Sequence, residues 1–263
     1  MKTGRSAAKL SVNVNKVATL RNSRGGAIPG VVDATRVCVA AGSPGITVHP
    51  RADARHITFT DVREIAAELG RLRASDAAYE GVELNIEGDP RADLLALAEE
   101  VRPDQFTLVP VRAGEITSQA GWDPATPTGE LRRIVSDLHR AGVRVSVFVD
   151  PDPDAVRWAA SLGGDRIELY TEPFAKAFHT SPDAGRDSFA QYSRMATLAH
   201  ELGLGVNAGH DLDLDNLTLF RHLPHLDEAS IGHALISHAL YVGLAQSVSD
   251  YIQALASDTA RER

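Results

Sequence analysis

Short apolar stretches alternate with longer amphipathic ones along the whole chain. After Lys9, the apolar Leu10, Val12 and Val14 alternate with polar residues, which is the period-two pattern of a strand with two different faces. Eight such strands are predicted, at 10–14, 45–49, 82–87, 106–109, 143–149, 166–170, 205–207 and 228–231. Helical patterns lie between them, at 34–41, 60–72, 91–101, 130–141, 154–162, 188–202, 215–221 and 234–255.

Eight strand–helix pairs imply parallel strands joined by right-handed crossovers. The fold class is therefore α/β, a (β/α)8 TIM barrel with extra helical segments. An open, doubly wound sheet is the alternative. Its dinucleotide-binding members carry a glycine-rich turn after the first strand, whereas Asn15–Leu20 follows here, so the barrel is favoured.

The domain organisation is predicted to be simple. Residues 1–263 form one catalytic barrel domain, with loose ends at 1–8 and 256–263. The polar stretches 112–128 and 172–187 are predicted to be long loops, which in barrels are often lids or interface segments. We expect Arg112–Gly121 to be the lid over the site.

Composition argues against nucleic acid and membrane as binding partners. The 27 Lys and Arg against 35 Asp and Glu give a net charge of −8, which argues against nucleic-acid binding. No stretch approaches the roughly 20 apolar residues that a membrane-spanning helix needs. The single cysteine, Cys38, excludes an intramolecular disulfide, is expected to serve in packing, and fits a cytoplasmic location.

Ionisable and polar side chains concentrate where the predicted strands end. Because barrel active sites lie at the carboxyl ends of the strands, these residues are expected to converge. The strand ends carry Asn13, Asn15, His49, Glu87, Asp150, Glu168, Asn207, His210 and His233.

A proton-transfer site is the first hypothesis for these strand ends. The His49 and His210 imidazoles titrate near neutral pH, and a carboxyl such as Glu87 can act as acid or base if burial raises its pKa. The alternative for Glu87 is a structural pair with an arginine such as Arg112. Glu83 faces the same side of its strand and is expected to lie lower in the barrel.

Anion binding is the second hypothesis. Gly209 allows a ligand to approach the backbone, and Gly232-His233 opens the last helix, whose N-terminal N–H groups attract anions. Arg51 and Arg55 would supply forked donors. Ordinary turn geometry and a surface arginine–aspartate pair are the alternatives.

Two other functions are weighed against an acid–base enzyme. A metal-dependent barrel hydrolase could use His49, His210 and His233, although the usual carboxylate–histidine spacing is absent. A phosphate-metabolite sensor on a barrel scaffold would bind phosphate without needing His49 or Glu87 for turnover.

Ordered motifs across almost the whole chain resemble one enzyme family. The matching segments are Val12–Gly25, Gly45–Arg51, Arg55–Thr58, Asn85–Glu87, Leu108–Pro110, Val206–His210 and Ile231–Ala234. Together they are similar to pyridoxine 5′-phosphate synthase of the deoxyxylulose-phosphate-dependent route to vitamin B6. The resemblance implies condensation of 3-amino-2-oxopropyl phosphate with 1-deoxy-D-xylulose 5-phosphate, giving pyridoxine 5′-phosphate, phosphate and water.

The resemblance also implies residue roles. His49 and Glu87 would accept protons, His210 would donate one, and Glu168 would stabilise the transition state. Binding residues for the deoxyxylulose phosphate would be Asn15, Lys16, Arg51, His56 and Thr117. Those for the aminoketone phosphate would be Asn13, Arg24, Asp211, Gly232 and His233. No metal or organic cofactor is implied, and a homo-octamer is expected.

Two departures from the family pattern concern the binding residues. Many members carry Asp-His where this chain has Asn15-Lys16, and Gly where it has Asp211. A carboxylate at 211 would repel phosphate, so Asp211 is expected to contribute its backbone N–H.

Overall fold

The computed structural model describes residues 7–110 and 119–256. Eight parallel strands close into a barrel in sequence order, with β1 paired to both β2 and β8. The strands are β1 Lys9–Asn13, β2 Gly45–Val48, β3 Glu83–Gly88, β4 Gln105–Leu108, β5 Arg144–Val149, β6 Arg166–Tyr170, β7 Gly205–Gly209 and β8 Leu226–Ile231. The predicted (β/α)8 TIM barrel is confirmed.

Helices surround the barrel and bury its outer face. They are α1 Asn15–Asn22, α2 Val31–Ala40, α3 Phe59–Ser75, α4 Ala92–Val101, α5 Thr128–Arg140, α6 Pro153–Ser161, α7 Glu172–Thr180, α8 Pro182–Glu201, α9 Leu217–Phe220, α10 His233–Val242 and α11 Leu244–Leu255. Outward strand residues such as Val12, Ile46, Ile86 and Val147 are fully buried beneath them. This apolar layer between sheet and helices is the main hydrophobic core.

The inner face of the barrel is polar. Ser11 and Thr47 share a hydrogen bond of 2.6 Å between their hydroxyls, and Asn85 Nδ2 donates to Thr47 Oγ1 at 3.4 Å. Thr107 Oγ1 donates to Asn85 Oδ1 at 3.0 Å. Since an unpaired polar group is costly away from water, these bonds are what allow a polar interior.

The base of the barrel holds charged side chains in pairs. Glu83 accepts from Lys9 Nζ at 2.9 Å and from Arg144 Nη2 at 2.5 Å. Glu228 is 3% exposed and accepts longer bonds from the Gln105 and Asn207 amides, at 3.5 and 3.4 Å. The prediction that Glu83 lies below Glu87 is confirmed by this position.

The prediction of a loop at 172–187 was wrong, because this stretch forms α7 and the start of α8. Pro173 lies in the first turn of α7, and the Ser181 side chain accepts from Ala184 N at the start of α8. Phe174 provides the packing that keeps α7 helical. Its ring lies 4.8 Å from that of Phe220 and 5.9–6.4 Å from those of Phe178, Phe189 and Tyr192.

Two further helix predictions are corrected. The predicted helix 234–255 is divided at Gly243, which has φ +85° and separates α10 from α11. Residues 15–22, for which no helix was predicted, form α1. The other boundaries shift by a few residues, as the ends of helices and strands commonly do.

Some predictions concern residues beyond those described. The expected loose ends 1–8 and 256–263, and the expected lid 112–121, fall mostly outside the described residues.

Cys38 is fully buried in α2, which agrees with a packing role. Among the described residues, no helix is both long and apolar enough to cross a membrane.

Phe174→Ala is expected to lower the free energy of unfolding by about 3–5 kcal/mol, because it empties the centre of the aromatic cluster. Urea unfolding followed by circular dichroism measures this. Leu202→Ala, at a site 43% exposed, is the matched control and should cost less than about 1 kcal/mol. Equal effects would contradict the packing role.

Candidate active site

A cavity of about 470 Å³ opens at the carboxyl ends of the strands. Twelve of the predicted site residues line it, namely Asn13, Asn15, Lys16, His49, Arg51, His56, Glu87, Glu168, His210, Asp211, Gly232 and His233. Arg24 is exposed in the turn after α1 and does not line the cavity. Thr117 lies outside the described residues.

Glu87 and His49 lie side by side at the centre of the cavity. The distance from His49 Nδ1 to Glu87 Oε2 is 4.0 Å. Asn13 Nδ2 donates to Glu87 Oε2 at 3.5 Å, and Ser230 Oγ donates to Glu87 Oε1 at 3.3 Å. His49 Nε2 is buried without a hydrogen-bond partner among the described residues, so this nitrogen is available to a ligand.

Burial sets the protonation of this pair. It lowers the pKa of His49 to about 3, with nearby His56 and Arg51 adding to the effect. It raises the pKa of Glu87 to about 8, with the Glu228 carboxylate opposing ionisation and the Ser230 hydroxyl favouring it. Before a substrate binds, Glu87 therefore holds a proton at neutral pH and His49 is neutral.

His210 follows β7 in an unusual backbone conformation. His210 and Asp211 have φ of +81° and +57°, a region rarely occupied by residues other than glycine. Thr171 Oγ1 donates to the carbonyls of Gly209 and His210, which holds this turn. This turn places His210 and Asp211, which follow β7, in the lining of the cavity.

Aromatic rings enclose the imidazole of His210. Ring centroids of Phe148 and Tyr170 lie 4.9 and 5.3 Å from that of His210. Burial lowers the pKa of His210, while the negative charges of Asp211 and Glu172 act in the opposite direction. An anion that binds beside His210 would favour its protonated form.

Glu168 lies on β6, lines the cavity and is 1% exposed. Burial raises its pKa well above the ordinary value, and the nearby Glu87 and Glu228 carboxylates add to this. Its Oε2 has no hydrogen-bond partner among the described residues. A side chain at Gly209 would meet Glu168 Oε1 at 2.4 Å from the Cβ, so glycine is needed where β7 passes this carboxyl.

Positive charge collects on one side of the cavity. Arg51 and Arg55 come from the loop after β2 and Lys16 comes from α1, and the neutral His56 lines the same side. Burial and the charges of Arg51 and Lys16 lower the pKa of His56 to about 4. Asn15 Oδ1 accepts from the His49 backbone N–H at 2.9 Å, which ties α1 to this loop.

A close backbone approach marks the adjoining side of the cavity, since β8 and β2 both pair with β1. A Cβ at Gly232 would lie 3.1 Å from Asn13 Cβ, so the turn from β8 into α10 runs directly against the end of β1. This turn presents the N-terminus of α10, beginning at His233, to the cavity. Helix N-termini attract anions through their free N–H groups and dipole.

Ser230 was missed at the sequence level. It lies on β8 two residues after Glu228, so the period-two alternation of that strand places both on the inner face. That signal was available, but a lone serine carries no chemistry until its neighbour is known. The other lining residues that were missed are Thr19, Leu212, Ile231 and Ala234.

His49, His210 and His233, the metal ligands of the hydrolase alternative, all line the cavity. In the part of the chain that the structure describes, no group of three or more His, Cys, Asp or Glu side chains is arranged to hold a metal ion. The hydrolase alternative therefore has no geometric support within those residues.

A closed parallel barrel with ionisable groups gathered at the carboxyl ends of its strands is the arrangement of a barrel enzyme. The sequence comparison is more specific. Residues 10–257 match the family described as pyridoxal phosphate biosynthesis protein PdxJ, and the chain belongs to this family.

Relatives named pyridoxine 5′-phosphate synthase match nearly end to end. The protein from Porphyromonas gingivalis is 49% identical over 249 residues, covering 94% of this chain and 99% of the relative. The protein from Cytophaga hutchinsonii is 48% identical over 248 residues, covering 94% and 98%. The resemblance inferred from the motifs is confirmed.

Solved structures agree on the fold. Thiamine phosphate pyrophosphorylase from Pyrococcus furiosus superimposes with a TM-score of 0.61 at 13% identity, covering 94% of this chain and 95% of that one. 3-Keto-L-gulonate-6-phosphate decarboxylase from Vibrio cholerae gives 0.58 at 13% identity, covering 96% and 100%. At such low identity the likeness concerns the barrel alone.

Glu87→Gln is expected to stabilise the protein, and more at pH 8 than at pH 5. The folded pKa of Glu87 lies near 8, above its ordinary 4.5, so its contribution to stability is complete below 4.5 and is lost as pH rises through 8. Glutamine is neutral and removes this loss. Thermal unfolding at both pH values measures the difference.

Glu83→Gln on the same strand is the matched control. Burial acts to raise the pKa of Glu83, but Lys9 and Arg144 outweigh it and lower the pKa, so this carboxylate stabilises the fold above its ordinary range. Its replacement should therefore destabilise at pH 8. A stabilisation by Glu87→Gln that is equal at both pH values would contradict the assignment.

Proposed function

We propose that the chain is a pyridoxine 5′-phosphate synthase. It condenses 3-amino-2-oxopropyl phosphate with 1-deoxy-D-xylulose 5-phosphate to give pyridoxine 5′-phosphate, inorganic phosphate and water. The observation that carries the proposal is the position of His49, Glu87 and His210 in one cavity, beside two anion-attracting segments, the loop after β2 and the N-terminus of α10. Family membership supports the same reaction.

The condensation needs groups that move protons in opposite directions. An imine forms, phosphate leaves, and a ring closes with loss of water. His49 is neutral and has Nε2 available, so it can accept a proton once a bound phosphate raises its pKa from about 3. His210 is suited to donate one after phosphate binds, because a nearby dianion stabilises the imidazolium.

Glu87 is proposed as the second proton acceptor, although it holds a proton before a substrate binds. The amine of the three-carbon substrate is a cation in water. Its binding beside Glu87 would stabilise the carboxylate and lower the pKa of Glu87 from about 8. Substrate binding thus prepares Glu87 to accept a proton.

Two phosphates are assigned to the two sides of the cavity. Arg51, His56, Asn15 and Lys16 are proposed to hold the five-carbon phosphate, since Arg51 and Lys16 are cations and Asn15 and His56 can donate hydrogen bonds. Lys16 supplies a positive charge of its own, and Asn15 retains the bond to the His49 backbone that an aspartate would also make.

The three-carbon phosphate is assigned to the side formed by the ends of β1, β7 and β8. Asn13, Gly232 and His233 lie there with the backbone of Asp211 and the N-terminus of α10. Arg24 and Thr117 remain predictions from the resemblance. Glu168, buried in the lining of the cavity, is proposed to stabilise the transition state.

Incubation with both phosphates should yield pyridoxine 5′-phosphate and one equivalent of inorganic phosphate, measured by chromatography and a phosphate assay. His49→Asn and Glu87→Gln should each lower turnover by at least about a hundredfold, the usual scale of a lost general acid or base, with circular dichroism unchanged. Activity should persist in a chelator, since no metal is proposed.

The outcomes separate the alternatives. No product from wild-type protein, where another synthase is active, would overturn the proposal. Phosphate binding that persists with no product in any variant would favour the sensor. Loss of activity in chelator, restored by a stoichiometric metal ion, would favour the metal-dependent hydrolase.

Assembly into a homo-octamer is proposed as well. Ile28, Leu240 and Tyr241 are 85%, 72% and 88% exposed, and apolar side chains of this size are often covered by a partner surface. Light scattering should give about eight times the 28.2 kDa of one chain, and Tyr241→Arg should reduce the assembly. A wild-type monomer at micromolar concentration would contradict this.

The whole chain is proposed to act as one catalytic domain in the cytoplasm. The single buried cysteine is consistent with a reducing compartment.

A further inference from the structure

We propose that Ser230 is a positioning residue for Glu87, whose carboxyl it holds through both of the protonation states that the reaction requires. This inference rests on the proposed function, in which Glu87 accepts a proton. It adds a residue to which the family resemblance gave no role.

The geometry places Ser230 against one oxygen of Glu87 and leaves the other to a different partner. Ser230 Oγ lies 3.3 Å from Glu87 Oε1, and Asn13 Nδ2 lies 3.5 Å from Glu87 Oε2. Ser230 is 8% exposed and Glu87 is 5% exposed. Water has little access, so these two contacts hold the orientation of the carboxyl.

The two partners differ in what they can do. The Asn13 amide nitrogen can only donate, so Glu87 Oε2 must accept from it in either state. A serine hydroxyl both donates and accepts. It can donate to Oε1 when Glu87 is ionised, and it can rotate to accept from Oε1–H when Glu87 is protonated.

This property matters because Glu87 is buried without a strong cation. Among the described residues, the ion pairs of Lys and Arg go to other carboxylates, and His49 at 4.0 Å is neutral before a substrate binds. The ionised form of Glu87 therefore depends on hydrogen bonds. The Ser230 bond acts against burial and lowers the pKa of Glu87.

Ser230→Ala tests the proposal by removing the hydroxyl without changing charge. In the pH profile of kcat/KM, the acidic limb should move upward by about 0.5–1 pH unit, the scale of one ordinary hydrogen bond. At pH 7 the rate should fall about 3–10-fold, and most of it should return at high pH. A role in folding alone would not move the pH profile.

Ser230→Thr keeps the hydroxyl and should restore the wild-type profile. Ser146→Ala is the matched control, because Ser146 Oγ is buried inside the same barrel without a hydrogen-bond partner among the described residues. It should leave the profile unchanged. If Ser230→Ala does not fold, Ser230→Cys gives the same test with a weakly bonding thiol.

An unchanged profile in Ser230→Ala, with Glu87→Gln inactive, would overturn this inference and leave the proposed function standing. A uniform loss of rate at every pH would also overturn it, because that is the result of a structural defect. Failure of the wild-type protein to form product would instead overturn the proposed function.

Discussion

The burial of ionisable groups inside the barrel is the constraint on which the rest of the structure depends. Glu228 at the base and Glu87 and Glu168 near the mouth are almost fully enclosed. A carboxylate in such surroundings is costly unless it is paired or protonated. At the base, cations surround Glu83 and stabilise its charge. Near the mouth, burial raises the pKa of both Glu87 and Glu168.

The same burial gives the site its chemistry. Burial lowers the pKa of His49 and raises that of Glu87. His49 is therefore neutral and Glu87 is protonated before a substrate binds. Both shifts reduce stability at some pH, and a protein selected for stability alone would lose these groups. Bound substrate, which brings charges of both signs, changes the balance. The site is therefore arranged for a charged ligand.

Much of the fold and of the candidate site could be predicted from the sequence, because strand periodicity and strand ends are local properties. The barrel and the convergence of His49, Glu87 and His210 follow from them. Helix α7 could not be predicted in this way, since Phe174 finds its partners in α8 and α9. Ser230 was missed for a similar reason. Its importance lies in a bond to β3, 143 positions away along the chain.

The closure of the sheet between β1 and β8 has a consequence for synthesis on the ribosome. Lys9–Asn13 emerges long before its partner Leu226–Ile231, so one edge of β1 stays unpaired until β8 has been made. Exposed strand edges are sites of unwanted pairing. The polar residues on β1, which line the finished barrel, also make the nascent strand less apolar before β8 has been synthesised.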